Sequence, residues 1–246
     1  MTSCQIMFIR KGDVLKVTFL LPMKDKSERV FDKNIRDFHG KPLFEYILNA
    51  ILKSEYIEKV IIDTDSDRII SVVNSDYGKN DRICIIKRDK RLLGAKMPMT
   101  PIIKYDLQFC DTDFFMQMHA TTPLLKTETI DNAIRAFKKG IRDGYDSLIG
   151  VNSYQTRFYF KDGRPVNHDP DVMVPSQDMP YIYEDNSCFY INSKDNFYKN
   201  NNRVGKRPIF FPVPKLEAID IDDMEDLVLA EAVYFYQYIY NRESIK

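Results

Sequence analysis

Short apolar runs alternate with stretches whose apolar residues recur at helical spacing, and this alternation constrains the chain more than any other feature. Val17-Thr18-Phe19-Leu20-Leu21-Pro22 reads as a buried first strand stopped by proline. From Pro42 to Ile57, the residues Leu43, Tyr46, Ile47, Ala50, Ile51 and Ile57 keep helical register, and Pro42 suits a first helical turn. Val60 to Asp65 is a second strand, Asp67 to Asn74 a helix and Ile83 to Ile86 a third strand. Thr100 to Phe109 is a helix and Phe114 to Met118 a strand. Thr127 to Lys139 is a helix opened by hydroxyl capping candidates, and Ser147 to Val151 a strand. In a chain of 246 residues this predicts one α/β domain with a mostly parallel, doubly wound sheet.

Two segments depart from the alternation. Residues 1–14 read as an extension ahead of the fold. From about Asn152 the extended pieces Arg157 to Lys161 and Tyr181 to Tyr183 flank a stretch rich in Asp, Pro and Asn. Residues 152–186 therefore predict an antiparallel excursion, a dimer arm or a substrate cover. The alternation resumes with strands at Cys188 to Ile191 and Glu217 to Asp222, and an amphipathic helix closes the chain from Met224 to Tyr240.

Apolar residues make up 44% and charged residues 29%, the values of a soluble globular chain. With 36 acidic and 36 basic side chains the formal net charge is zero, so nothing electrostatic favours nucleic acid or an anionic membrane as partner. A small anion needs only a local basic pocket. Cys4, Cys84, Cys110 and Cys188 lie far apart, which argues against a zinc cluster and a disulfide framework. With no signal-peptide core and no membrane-length apolar run, a reducing cytoplasm is the expected home.

Ligands of open α/β sheets sit at the carboxyl ends of the strands, and three segments at such ends carry suggestive chemistry. After the first strand, Lys24, Lys26, Arg29 and Lys33 suit a triphosphate and its leaving pyrophosphate, or simply a solvated charged loop. After Met118, His119-Ala120-Thr121-Thr122-Pro123 offers an imidazole and two hydroxyls, for a polar substrate or for a helix-entry loop. Near the end, Glu217-Ala218-Ile219-Asp220-Ile221-Asp222 on a strand would put Asp220 and Asp222 on one face, about 6–7 Å apart at Cα, with Glu217 pointing elsewhere. Like charges this close call for a cation or hydrogen-bond donors between them, and Mg²⁺ takes one or two carboxylates with waters and phosphate oxygens. Asp222 or Asp223 also suits capping of the last helix.

Together these segments resemble the acylneuraminate cytidylyltransferase family, the CMP-sialic acid synthetases and their relatives, from about Val17 to Val233. Leu21-Pro22 through Lys33-Asn34-Ile35 resembles the family's nucleotide loop, Gly40-Lys41-Pro42-Leu43 its "GKPL" and Asp63-Thr64-Asp65-Ser66 its "STDS". His119 to Leu124 resembles "QATSPL", Ser187-Cys188-Phe189-Tyr190-Ile191 "GAFYI", and Ala218 to Asp222 with Glu225-Asp226 "AIDIDTPED". The resemblance implies a Rossmann-like nucleotidyltransferase fold over residues 15–246, a homodimer, and a reaction that joins CTP to an acidic sugar with Mg²⁺ and releases pyrophosphate. It assigns Lys24, Ser27, Arg29, Lys33, Asn34, Arg88 and Thr100 to the nucleotide, with Lys24, Arg29, Lys33 and Asp222 catalytic. It gives His119, Thr121 and Tyr190 to the sugar, and Asp220 and Asp222 to the metal.

The departures from the family pattern fall in the nucleotide loop and on the acceptor side. Where relatives read "PARGGSKR", this loop has no glycine from Met23 to Arg29, and "PRKN" is here Phe31-Asp32-Lys33-Asn34. His119 replaces a glutamine, and Ser176 stands where many members carry arginine before Gln177-Asp178. "HAT" in place of "QAT" is similar to a branch associated with surface-polysaccharide synthesis. An acidic sugar, a phosphonate acceptor and nucleotide binding without turnover all remain open at the level of sequence.

Overall fold

The computed structural model describes residues 15–94 and 96–240, so the extension read at 1–14 lies outside the described residues. In chain order the strands are β1 (Val17–Leu20), β2 (Asp37–Phe38), β3 (Lys41–Pro42), β4 (Ile57–Thr64), β5 (Ile83–Lys87), β6 (Phe114–Met118), β7 (Ser147–Tyr154), β8 (Ile182–Ser193) and β9 (Pro208–Pro212). The helices are α1 (Leu43–Leu52), α2 (Asp67–Tyr77), α3 (Met99–Asp106), α4 (Thr127–Arg142), α5 (Lys194–Asn200) and α6 (Met224–Tyr234). Seven strands form one sheet in the order β5-β4-β1-β6-β8-β7-β9, and β2 and β3 form a small hairpin. Every neighbouring pair in the large sheet is parallel except the two that involve β8.

The apolar runs are apolar because both faces of these strands are covered. Successive side chains point to opposite faces. Phe19, Val60, Ile62 and Met116 accordingly join one core cluster with Ile47 of α1 and Ile134 of α4. Leu20, Ile61 and Phe115 join a second cluster with Ile103 of α3 and Phe197 of α5. Helices therefore pack on both sides, as the alternation predicts. No described helix is long and apolar enough to cross a membrane.

Several local expectations are corrected. The helix expected from Pro42 to Ile57 ends at Leu52, and Pro42 itself pairs with Asp37 in the hairpin. Ser54 ends it: its hydroxyl donates to Asp131 and accepts the Tyr56 N–H, which turns the chain into β4. Ile57 kept helical register because it enters the same core from the next strand. The hydroxyls at Thr127 and Thr129 do not cap α4; the Glu217 carboxylate takes the Lys126 N–H and the Thr129 hydroxyl instead.

Cys188 to Ile191 is the middle of a 12-residue antiparallel strand that lies inside the sheet, so the antiparallel element is not confined to an excursion. Glu217 to Asp222 is a loop, not a strand. Its N–H groups go to Pro214 carbonyl, Thr121 carbonyl and the Asp226 carboxylate, and no ladder forms. The closing helix is not cleanly two-faced: Leu227 and Ala230 are buried, while the apolar Val228, Leu229, Phe235 and Tyr236 are exposed. It passes into a π-helical turn at Phe235–Tyr240.

Candidate active site

The strand ends bring three loops together. The first follows β1 and contains no glycine, yet it is pinned at several points. The Met23 N–H donates to Asp63 carbonyl, the Asp25 N–H to the Asp65 carboxylate, and the buried Asn34 amide to Lys24 carbonyl. The left-handed residue of this loop is Asp32, whose φ is 53° and whose carboxylate meets Arg68 at 2.6 Å. Asp tolerates this conformation better than most residues.

The second loop, after β6, and the third, after β9, are stitched to each other. The Thr121 hydroxyl donates to Asp220, and the Ile221 N–H donates to Thr121 carbonyl at 2.9 Å. Glu217 anchors the start of the third loop on the first turn of α4 and points away from the two aspartates, as expected. Asp223 is the cap of α6: its carboxylate accepts the Glu225 and Asp226 N–H groups, and Asp226 returns a bond to the Asp223 N–H. Asp222 is thereby left for the first loop. Arg29 reaches it at 2.8 Å and Lys33 at 3.3 Å, and Lys33 also donates to Ile221 carbonyl at 2.6 Å.

Two carboxylates with different surroundings face this junction. Burial pushes the Asp220 carboxyl above its ordinary range; the Thr121 hydroxyl opposes that rise and the Asp222 charge adds to it. Asp222 is more open, with 47% of its side chain exposed. Each has one oxygen engaged and a second without a hydrogen bond among the described residues. No group of three or more metal-ligating side chains occurs among the described residues. A pair of half-engaged carboxylates suits a divalent cation that completes its shell with phosphate oxygens and water. They line a cleft of about 550 Å³ together with Asn152, Tyr154, Glu184 and Asp185.

The remaining predicted residues fall into three groups. Lys24 is exposed and Ser27 half-buried on the first loop. Arg88 is buried and committed to Asp63, with Nε at 3.1 Å from the carboxylate and Nη2 at 3.0 Å from the carbonyl. Thr100 lies in the first turn of α3 and shares no hydrogen bond with the others among the described residues. His119 and Tyr190 converge beside the second loop. Burial, helped by Arg203, lowers the His119 pKa to about 4, and its Nε2 is buried with no partner among the described residues.

Tyr190 is fully buried; its hydroxyl donates to Asp185 and accepts from Arg203, whose guanidinium lies 3.5 Å from the ring centroid. Arg203 and Asp185 escaped the sequence reading. A bulge in β8 sets this geometry. Ile149 and Val151, two residues apart on β7, pair with Tyr190 and Asp185, five apart on β8. The extra residues fold back and aim Asp185 at the Tyr190 hydroxyl. Ser187 sits in the bulge at φ 58°, the position where "GAFYI" carries its glycine. Ser187→Gly is expected to stabilise the chain by about 1 kcal/mol, read as a higher denaturation midpoint, because a left-handed non-glycine residue costs about that much.

Cations after the first strand, paired carboxylates beside them and a polar cleft fit one class of protein, an enzyme that works on a nucleoside triphosphate. The chain belongs to the cytidylyltransferase family, whose model matches residues 18–243. Its relatives include the pseudaminic acid cytidylyltransferase of Campylobacter jejuni, 25% identical over 89% of this chain and 97% of that protein. The N-acylneuraminate cytidylyltransferase of Escherichia coli is 24% identical over 94% of this chain, which spans 57% of that longer protein. Among solved structures, CMP:2-keto-3-deoxy-manno-octonic acid synthetase complexed with CTP superposes with a TM-score of 0.64 at 12% identity, over 90% of this chain and 99% of that one. The 4-diphosphocytidyl-2C-methyl-D-erythritol synthase of Anaerococcus prevotii gives 0.63 at 13% identity, over 90% and 97%. These likenesses bear out the Rossmann-like nucleotidyltransferase fold and the family resemblance read from the sequence.

Proposed function

We propose that this enzyme joins CMP, from CTP, to a hydroxyl of an acidic sugar of the ulosonic type, with loss of pyrophosphate. The observation that carries the reading is the clasp of Asp222 by Arg29 and Lys33, which ties the cationic loop to the carboxylate pair at the sheet's carboxyl edge. The names of the relatives, which specify pseudaminic acid and N-acylneuraminate, support the choice of acceptor.

In this reading the acceptor oxygen bonds to the α-phosphorus as the bond to pyrophosphate breaks. Lys24, Arg29 and Lys33 offset the charge that develops on the departing oxygens. Magnesium on Asp220 and Asp222, when bound, would supply Lewis-acid stabilisation of the phosphate oxygens. Asn34 acts from behind, by holding the loop through Lys24 carbonyl.

His119, neutral and weakly basic, serves as a hydrogen-bonding group on the acceptor and not as the base. His119→Gln is therefore expected to keep activity within about tenfold and to leave the pH profile between pH 6 and 8 unchanged. Loss of a general base would cost about 10²–10⁴ and remove an ionisation.

Residues 152–186, with Tyr159, Phe160, Met173 and Tyr181 exposed, would serve as the arm that pairs two copies of the chain, and light scattering reads that directly. The reaction is tested by incubating the protein with CTP, Mg²⁺ and a panel of N-acetylneuraminic, pseudaminic and 3-deoxy-manno-octulosonic acids and a simple hydroxyphosphonate, with adducts identified by mass. A CMP–sugar adduct is expected. A CMP–phosphonate would move the acceptor class, and no adduct with any acceptor would overturn the reading.

A further inference from the structure

Resting on the acidic-sugar reading above, we infer that Arg203 recognises the acceptor's carboxylate and sets the enzyme's preference for acids over neutral sugars. Tyr190 lies directly across from Gln117 of β6 in the ladder, and His119 follows Gln117 by two residues, just past the strand's end. Arg203, on the loop between α5 and β9, is laid over this group. Nη1 donates to the Gln117 amide oxygen at 2.9 Å and Nη2 to the Tyr190 hydroxyl at 2.7 Å, while the guanidinium covers the Tyr190 ring.

Both partners are neutral. Arg203 makes no ion pair among the described residues; it is linked to Asp185 through the Tyr190 hydroxyl. A guanidinium carries five N–H donors in a fixed fork that matches a carboxylate, and two are spent here. The plane is fixed by stacking and two bonds, so an anion meets a pre-set receptor rather than a loose side chain.

The surroundings make such a receptor necessary. The neighbouring cleft is lined by Glu184, Asp185, Asp220, Asp222 and Asp226, which would repel an anionic acceptor. Beside Arg203 the buried His119 Nε2 lacks a partner among the described residues. The position before Gln177-Asp178 where many relatives carry an arginine is Ser176 here. Arg203 supplies a cation to the acceptor side by another route.

The test uses whichever sugar acid of the panel yields a CMP adduct with the intact enzyme, together with its methyl ester. The intact enzyme is expected to prefer the acid. Arg203→Ala should raise KM for the acid about 30-fold or more, leave KM for CTP unchanged and erase the acid-over-ester preference. Arg203→Lys should keep that preference. The acid-to-ester ratio compares two ligands on the same protein, so a general loss of folding does not imitate the result. If Arg203→Ala is too unstable to assay, Arg203→Gln, which keeps donors for Gln117 and Tyr190, decides in its place. Turnover of the acid with an unchanged ratio in these variants overturns this inference alone. Absence of any sugar adduct with the intact enzyme overturns the function it rests on, and this inference with it.

Discussion

Asp222→Ala should abolish most pyrophosphate release from CTP, a fall of about 10²–10³ in kcat or more. The loss should fall on kcat and not on KM for CTP. Arg29 and Lys33 lose their partner and are freed for phosphate, while Lys33 keeps its bond to Ile221 carbonyl. Stability should scarcely change, since Asp222 is half-exposed and surface ion pairs contribute about 0–1 kcal/mol. The neighbouring acid gives the opposite signature. Asp223→Ala removes the cap of α6 and should cost about 1 kcal/mol while sparing the rate. Rates and melting temperatures of the two variants decide the matter, and full activity in Asp222→Ala would sink the metal assignment.

Arg88→Met should be the most destabilising change outside the apolar core, at about 3–5 kcal/mol. Asp63 and Asp106 are both fully buried. Arg88 is the cation bonded to Asp63, and neither Asp106 oxygen has a hydrogen-bond partner among the described residues. Burial raises the Asp106 carboxyl, and the neighbouring Asp63 charge raises it further, so Asp106 is the member that keeps its proton. Removing Arg88 deletes the one cation that lowers Asp63 against its own burial.

A carboxyl whose folded pKa is raised loses stability as pH climbs above its unfolded value, about 3.9. The deficit of Arg88→Met should therefore widen from pH 4 to pH 7. Arg88→Met with Asp63→Asn should recover part of it, because the orphaned charge is gone. Melts at the two pH values measure both effects; a pH-independent deficit would show that lost packing, not charge, is responsible. Activity should suffer as well, since the same Asp63 carbonyl accepts the Met23 N–H that starts the nucleotide loop.

Those two predictions draw on different degrees of legibility. The strands of the parallel part announce themselves because burial on both faces leaves no polar position between Val17 and Leu20 except Thr18. The acidic loop was read in the wrong conformation. Spacing of two residues places side chains alike in any extended chain, and only the absence of a ladder partner, invisible in sequence, makes 217–222 a loop. Glu217 is the converse case: its isolation from Asp220 was readable, whereas its duty at the start of α4, 88 residues away from Thr129, was not. Arg203 was hidden most completely. It follows a polar run, Lys199 to Asn202, that looks like plain surface, and its meaning comes from a tyrosine 13 residues earlier and a glutamine 86 residues earlier.

The position of β8 has a consequence for assembly. It lies between β6 and β7, so β7 and β9 are hydrogen-bonded to the rest of the sheet only through it. The strands β5, β4, β1 and β6 all precede residue 119, whereas β7 and β9 cannot be zipped onto them until residues 182–193 exist. On a ribosome, the half of the sheet made by β8, β7 and β9 is therefore the last to be hydrogen-bonded into place.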